Sequence, residues 1–194
     1  MKDQVVTRRR GAALEAAILD AAWEELLTQG YINFTIEGVA KRAGTSRPVL
    51  YRRWPNRVSL ATAAIIHFTK ANPISVPDMG NVRDELCLLL RKFADRIPPN
   101  STRLFFDVSS DMAAHGDSFT DERFKEKLLG DLINRAVARG EIDENRLTPL
   151  VNWVPTGLVL TLTMISGKTP SDEAIAAIVD QVFLPIVSTT ERRN

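Results

Sequence analysis

Apolar positions recur every three or four residues along most of the chain, and no stretch shows sustained two-residue alternation. Near the front, Leu14, Ala17, Ile18, Ala21, Ala22, Leu26 and Leu27 mark one face of a long amphipathic helix. Gly30, which tolerates left-handed geometry, is placed to end it. Thr35 is positioned to cap a short helix over 36–42 that turns Val39 and Ala40 inward. Gly44 breaks that helix, Ser46 can cap a third over 47–53 that Pro55 stops, and Asn56 can cap a fourth entering "RVSLATAAIIHFTKAN". The stretch "NPISVPDMG", residues 72–80, reads as a linker. Further helices are expected at about 82–97, 101–115, 118–139, 148–166 and 171–188, separated by Pro98-Pro99, "HGDS", "RGEIDENR" and "GKTPSD". Pro155 falls inside 148–166 and should either kink that helix or move its start to near Val154. The pattern predicts an all-α fold.

Charge adds an asymmetry to this picture. Residues 1–57 carry a net +4 and residues 58–194 a net −3, within a chain of net charge +1. A basic front suggests that it meets a polyanion. Residues 1–10 read as a flexible basic arm, either a solvated tail or a segment in which Arg8, Arg9 and Arg10 reach DNA. The lone Cys87, within an apolar helical pattern, is expected to be a buried structural thiol. With His67 and His115 it makes no metal-ligand pattern, so no metal and no cofactor are expected. No phosphate loop, nucleophile elbow or acid–base pair stands out, so no catalytic residues are assigned. The start lacks the apolar core of a secretory signal. The longest apolar run, 154–165, falls short of a membrane span of about 18 residues, so a cytoplasmic location without membrane association is expected.

The stretch "IEGVAKRAGTSRPVLYRRW", 36–54, fits a helix-turn-helix. Ala40 is small where the two helices cross, Gly44 can take the positive φ of the turn, and Val39 and Leu50 are the apolar contacts that lock them. Ser46 and Arg47 then lie at the start of the second helix, the end that usually meets base edges. Pro48 sits in its first turn, where a missing N–H is harmless, and Tyr51, Arg52 and Arg53 follow one turn later.

The span from about 11 to 60 resembles the DNA-binding domain of TetR-family transcriptional regulators. The resemblance runs through "FTIEGVAKRAGTSRPVLYRRWPNR": Thr35 before the second helix, Ala-Gly at the turn, Leu50-Tyr51, Trp54 and Asn56. Arg57 stands where the family usually has lysine, Arg53 where histidine is common, and Trp54 where phenylalanine is common. The resemblance implies an N-terminal three-helix helix-turn-helix domain, 11–57, and a C-terminal helical domain, 58–194, for effector binding and dimerisation. It implies that Arg47 and Val49 face base edges, with Pro48 against a thymine methyl or sugar. Tyr51, Arg53 and Arg57 would hold phosphates, Thr35, Thr45 and amides at the helix starts would hold others, and Arg52 could do either.

Residues 80–188 resemble the family's regulatory domain more loosely, through "ARGEID" and the "SDEAIAAIVDQVFLPIV" ending. In the family the last two helices pair with their copies. Here that face would be Leu158, Leu162 and Ile165 with Ile175, Ile178, Val179, Val182, Phe183 and Ile186, the alternative being ordinary intramolecular core. An unidentified small-molecule effector would lie among Phe68, Phe93, Phe105, Phe106, Met112, Trp153 and Met164, which could equally be core. The implied function is a dimeric, ligand-responsive repressor of a palindromic double-stranded DNA operator. A DNA-binding activator, or a helical ligand-binding or interaction protein without regulatory DNA binding, remains as the alternative.

Overall fold

The computed structural model describes residues 11–97, 101–115 and 129–189, with backbone alone for 101–106. The chain divides into two compact units. The first takes the described residues of Met1–Asn72 and Leu104–Phe119, the second those of Pro73–Arg103 and Thr120–Asn194. The first unit thus extends beyond residue 57, because the fourth helix packs along the first.

In the first unit, α1 (Ala12–Asn33) buries Ile18, Leu19, Ala22 and Leu26. Gly30 breaks its regular dihedrals at φ +69°, and a last turn continues to Asn33. The α4 helix (Arg57–Ala71) lies against α1 and buries Val58, Leu60, Ala61 and Ala64, while Trp23 stacks on Phe68 at 4.2 Å. Asn56 caps α4 through a reciprocal pair: its side chain accepts from the Ser59 N–H at 2.8 Å, and the Ser59 hydroxyl accepts from the Asn56 N–H at 3.4 Å. From α6 (Ser101–Ala114), Val108 and Met112 are fully buried in this unit.

Between α1 and α4 lie α2 (Ile36–Arg42) and α3 (Arg47–Tyr51). Thr35 caps α2 by accepting from the Gly38 N–H at 3.0 Å. The turn that follows closes through Thr45 N–H to Ala40 C=O at 2.9 Å and Gly44 N–H to Lys41 C=O at 3.2 Å, with Gly44 at φ +64°. Two such bonds around a left-handed glycine satisfy the helix's last carbonyls and fix the angle at which α3 departs.

Gly38 has a separate constraint. A Cβ there would meet Glu25 Oε1 at 2.5 Å. Glu25 is buried and accepts from Arg42 Nε at 2.8 Å. Alanine should gain about 1 kcal/mol of helix propensity, but overpacking costs about 1–3 kcal/mol and displaces the Arg42 partner. Gly38→Ala is therefore expected to lower stability by about 1 kcal/mol in urea unfolding. An unchanged or raised midpoint would show that Glu25 moves aside freely.

The second unit is built on α5 (Val82–Arg96), whose Leu86, Leu89 and Leu90 are almost fully buried. Against it pack α7 (Gly130–Ala138), α8 (Pro149–Ser166) and α9 (Asp172–Ala177). A π turn, Ile178–Phe183, follows α9 and leads into α10 (Leu184–Val187). The predicted helix over 171–188 is thus interrupted in hydrogen-bond register, and Pro185, which supplies no N–H, lies just beyond the wider turn. Ser171 caps this region, accepting from the Ala174 N–H at 3.3 Å. α8 begins at Pro149 behind a Thr148 cap, so Pro155 lies in its interior and not at its start. Of the helix expected at 118–139, residues 116–128 lie outside the described residues, as does the arm at 1–10.

Glu85 is fully buried and makes this unit's principal polar junction. It accepts from the Met79 N–H at 2.9 Å and lies 3.3 Å from Arg135 and 3.2 Å from Arg139. A carboxylate is tolerated there because its charge is paired and its oxygens are bonded. Cys87 packs against the same core but is half-buried, less enclosed than expected. Burial pushes its thiol pKa up, which keeps it in the less reactive protonated form. Pairing between strands is confined, among the described residues, to an isolated antiparallel bridge between Ile142 and Ser188.

Candidate nucleic-acid interface

The α3 helix is short, and two side chains anchor it: Leu50 is fully buried and Trp54 is 7% exposed. With those turned inward, Ser46, Arg47, Pro48, Tyr51, Arg52 and Arg53 all face outward. Thr35 is also exposed, whereas Thr45 and Val49 are half-buried. The helix expected over 47–53 ends at Tyr51, so the residues expected from sequence to meet bases and phosphates lie on α3, in the turn after it and at the starts of α2, α3 and α4.

Ser46 occupies the capping position of α3 in extended geometry, but its hydroxyl makes no capping bond. Its cap function fails for a local reason. Pro48 has no N–H to donate, and the Val49 N–H is taken by the Ser46 carbonyl at 3.0 Å. The hydroxyl is left for an outside partner.

Three of the arginines assigned to DNA carry carboxylate partners. Arg47 Nη2 donates to Glu37 Oε1 at 2.6 Å. Arg53 pairs with Glu15 of α1. Arg57 donates from Nε at 3.0 Å and Nη2 at 2.7 Å to one oxygen of Asp111, on α6 in the same unit. None of these partners was identified from sequence; Glu37 lies 10 residues from Arg47 across the turn, and the other two lie 38 and 54 residues from their arginines.

The Arg57 site is the most elaborate. The buried Tyr31 donates its hydroxyl to the same Asp111 oxygen at 2.7 Å, and the Arg57 guanidinium lies 4.7 Å from the Tyr31 ring centroid. The bonds from Tyr31 and then Arg57 hold the Asp111 carboxyl below its ordinary range. Burial, followed by the Asp111 bond, pushes Tyr31 well above its own. Arg57, expected to grip phosphate, is therefore engaged in tying α1, α4 and α6 together.

A depressed carboxylate pKa contributes stability above the unfolded value of about 3.9 and loses it as pH falls through the folded value. A raised tyrosine pKa contributes below about pH 10 and loses it at higher pH. The junction is intact between those limits. Asp111→Ala is expected to cost about 1–3 kcal/mol at neutral pH, since the Tyr31 hydroxyl loses its acceptor. It should also flatten the fall in stability below about pH 4. Urea unfolding as a function of pH reads both; an acid limb as steep as in the parent would exclude this role.

The proposed effector residues separate between the units. Phe68 and Met112 belong to the first; Phe93, Trp153 and Met164 belong to the second and are half-buried. The side chains of Phe105 and Phe106 lie outside the described residues. A surface groove bordered by Arg91, Asp95 and Asp172 contains none of them. Along the face assigned to dimer contact, Ile175, Ile178, Val179 and Phe183 fill the second unit's own core. Leu158 and Val182 are half-buried, and Leu162, Ile165 and Ile186 are 38%, 81% and 40% exposed. Among the described residues, no cluster of three or more His, Cys, Asp and Glu is placed to hold a metal.

Residues 18–64 match the family model described as bacterial regulatory proteins, tetR family, and residues 76–182 match that of the tetracyclin repressor-like C-terminal domain. The HTH-type transcriptional regulator AqdR of Rhodococcus erythropolis is 31% identical, over 77% of this chain and 74% of its own length. A DNA-binding transcriptional repressor TetR of Mycobacteroides abscessus is 29% identical, over 92% and 96%. Among solved structures, the TetR family transcription regulator SCO0332 superposes with a TM-score of 0.65 at 22% identity, over 91% of this chain and 99% of that one. A TetR transcriptional regulator from Agrobacterium tumefaciens gives 0.59 at 19% identity, over 93% and 97%. Both the helix-turn-helix and the larger helical part are thus accounted for, and the chain belongs to the TetR family of bacterial transcriptional regulators.

Proposed function

We propose that the protein is a ligand-responsive repressor that binds a palindromic operator as a homodimer. The carrying observation is α3, with Leu50 and Trp54 buried and Ser46, Arg47, Pro48, Tyr51 and Arg52 displayed. A helix of five residues reads few base pairs, so specificity requires a second copy with its α3 one helical turn of DNA away, about 34–36 Å. Arg47 forks onto a guanine, Pro48 and Val49 meet apolar base or sugar surface, and Tyr51, Arg52 and Arg53 hold phosphates. Arg57 acts on DNA only if it leaves Asp111.

The second copy is supported by α8. It has 18 residues at a mean hydropathy of 1.3, long and apolar enough by length and composition to cross a membrane, yet only 17% of it is buried within one chain. Leu162 and Ile165 of α8, with Ile186 of α10, offer apolar surface to a twin chain. Repression, and not activation, follows the repressor named among the relatives. An effector favouring a dimer with displaced heads would weaken operator binding.

Selection of bound fragments from a random duplex library tests this reading. The expected result is a two-fold symmetric sequence with half-sites one turn apart. A library that yields no enriched sequence would refute it.

A further inference from the structure

The folded front is less basic than its role requires. Lys41, Arg42, Arg47, Arg52, Arg53 and Arg57 are opposed by Glu15, Asp20, Glu24, Glu25 and Glu37, so residues 11–57 carry a net charge of only +1. Most of the front's positive charge lies in residues 1–10. On α3 itself, the residue best placed for base edges, Arg47, is already held by a carboxylate.

Glu37 sits in the first turn of α2, where an acid complements the helix dipole. That role alone does not require a partner. Here the side chain reaches a different helix and meets Arg47 at 2.6 Å, with the two side chains 66% and 58% exposed. Among the described residues, only Nη2 of Arg47 is engaged, which leaves other N–H donors of the guanidinium for a second acceptor.

The pair is close to neutral as a unit. A phosphate gains little from approaching it, because the attraction of Arg47 is offset by repulsion from Glu37. A guanine edge is different: its O6 and N7 are dipolar acceptors without net charge, and they can take the remaining donors. We propose that Glu37 is a specificity-determining residue, which withholds Arg47 from phosphate while leaving it able to read a base. Glu37 thereby weakens binding to arbitrary DNA more than binding to the operator. This rests on the assignment of α3 as the reading helix.

The test uses the full chain with Glu37→Gln, Arg47→Ala and the double variant, each checked for parental helicity by circular dichroism. Binding to a random-sequence duplex is measured between about 50 and 200 mM NaCl, and binding to the library-selected duplex in parallel. Glu37→Gln should steepen the salt dependence on random DNA by about 0.9 per protomer, as one further phosphate is neutralised. At the lowest salt, random DNA should bind about threefold tighter per protomer relative to the highest salt than it does for the parent. The preference for the selected duplex should fall by a similar factor. The double variant should lose the gain, because it acts through Arg47. A Glu37→Gln protein with parental affinity and slope on random DNA overturns the proposal, as does a gain that survives without Arg47. Failure of the parent to select any sequence refutes the operator reading instead, and the random-duplex comparison still decides the role of Glu37.

Discussion

Placing aspartate at Ile165 is expected to convert a dimer into monomers and to abolish operator binding with it. Ile165 is 81% exposed on α8, and Leu162, one turn earlier, is 38% exposed. Fully burying such a side chain against a twin contributes about 1.5–3 kcal/mol, and a two-fold axis counts each contact twice. Aspartate removes that gain in both copies and sets two carboxylates in apolar surroundings, where unpaired charge costs several kcal/mol more. The dimer dissociation constant should rise by about a thousandfold or more. Sedimentation equilibrium reads the assembly, and mobility shift on the selected duplex reads the consequence. Since the residue is exposed in one chain, the monomer should keep its fold. A variant that sediments as a dimer would mean that other surfaces join the copies.

Replacing Arg47 with alanine should remove most sequence preference while leaving a salt-dependent affinity for DNA. A bidentate contact to guanine is worth about 1–3 kcal/mol of discrimination. Two copies double this, so affinity for the selected duplex should fall about 30- to 10⁴-fold. Random DNA should lose less, because no base contact is lost there and only the charge changes, with Glu37 left unopposed. Lysine should fail to restore the preference, as it lacks the planar fork. Anisotropy titrations against the selected duplex, and against one substituted at the proposed guanine, separate these effects. Unchanged preference at that position would remove Arg47 from the reading role.

Much of this architecture was legible in the chain because the signals are local. Thr35 and Asn56 start helices where their spacing predicts, since a cap reaches only two or three residues ahead. Gly44 lies at the turn because the left-handed region is open to glycine at little cost. Leu50 and Trp54 are buried, and Arg47 and Tyr51 exposed, as a helical period requires. Ser46 departs from its expected cap because Pro48 takes away one donor and the backbone takes the other. The half-buried Cys87 departs because periodicity gives the direction of a side chain but not the depth of its cover.

The sequence by itself determined the helices of the first 72 residues, their order, the helix-turn-helix and the polar face of α3, while the helix expected over 171–188 is interrupted by a π turn. Each follows from periodicity, caps and turn residues within a few positions of one another. Tertiary structure alone decided which charges meet. Glu37 finds Arg47 across a turn, Glu15 reaches Arg53 from α1, and Asp111 joins Tyr31 and Arg57 from α6. It also decided which part of the apolar stripe over 175–186 is spent within one chain, with Ile175, Ile178, Val179 and Phe183 buried and Ile186 left outside. Spacing along a helix fixes which residues share a face, whereas the partner of that face depends on chain that returns to it from far away.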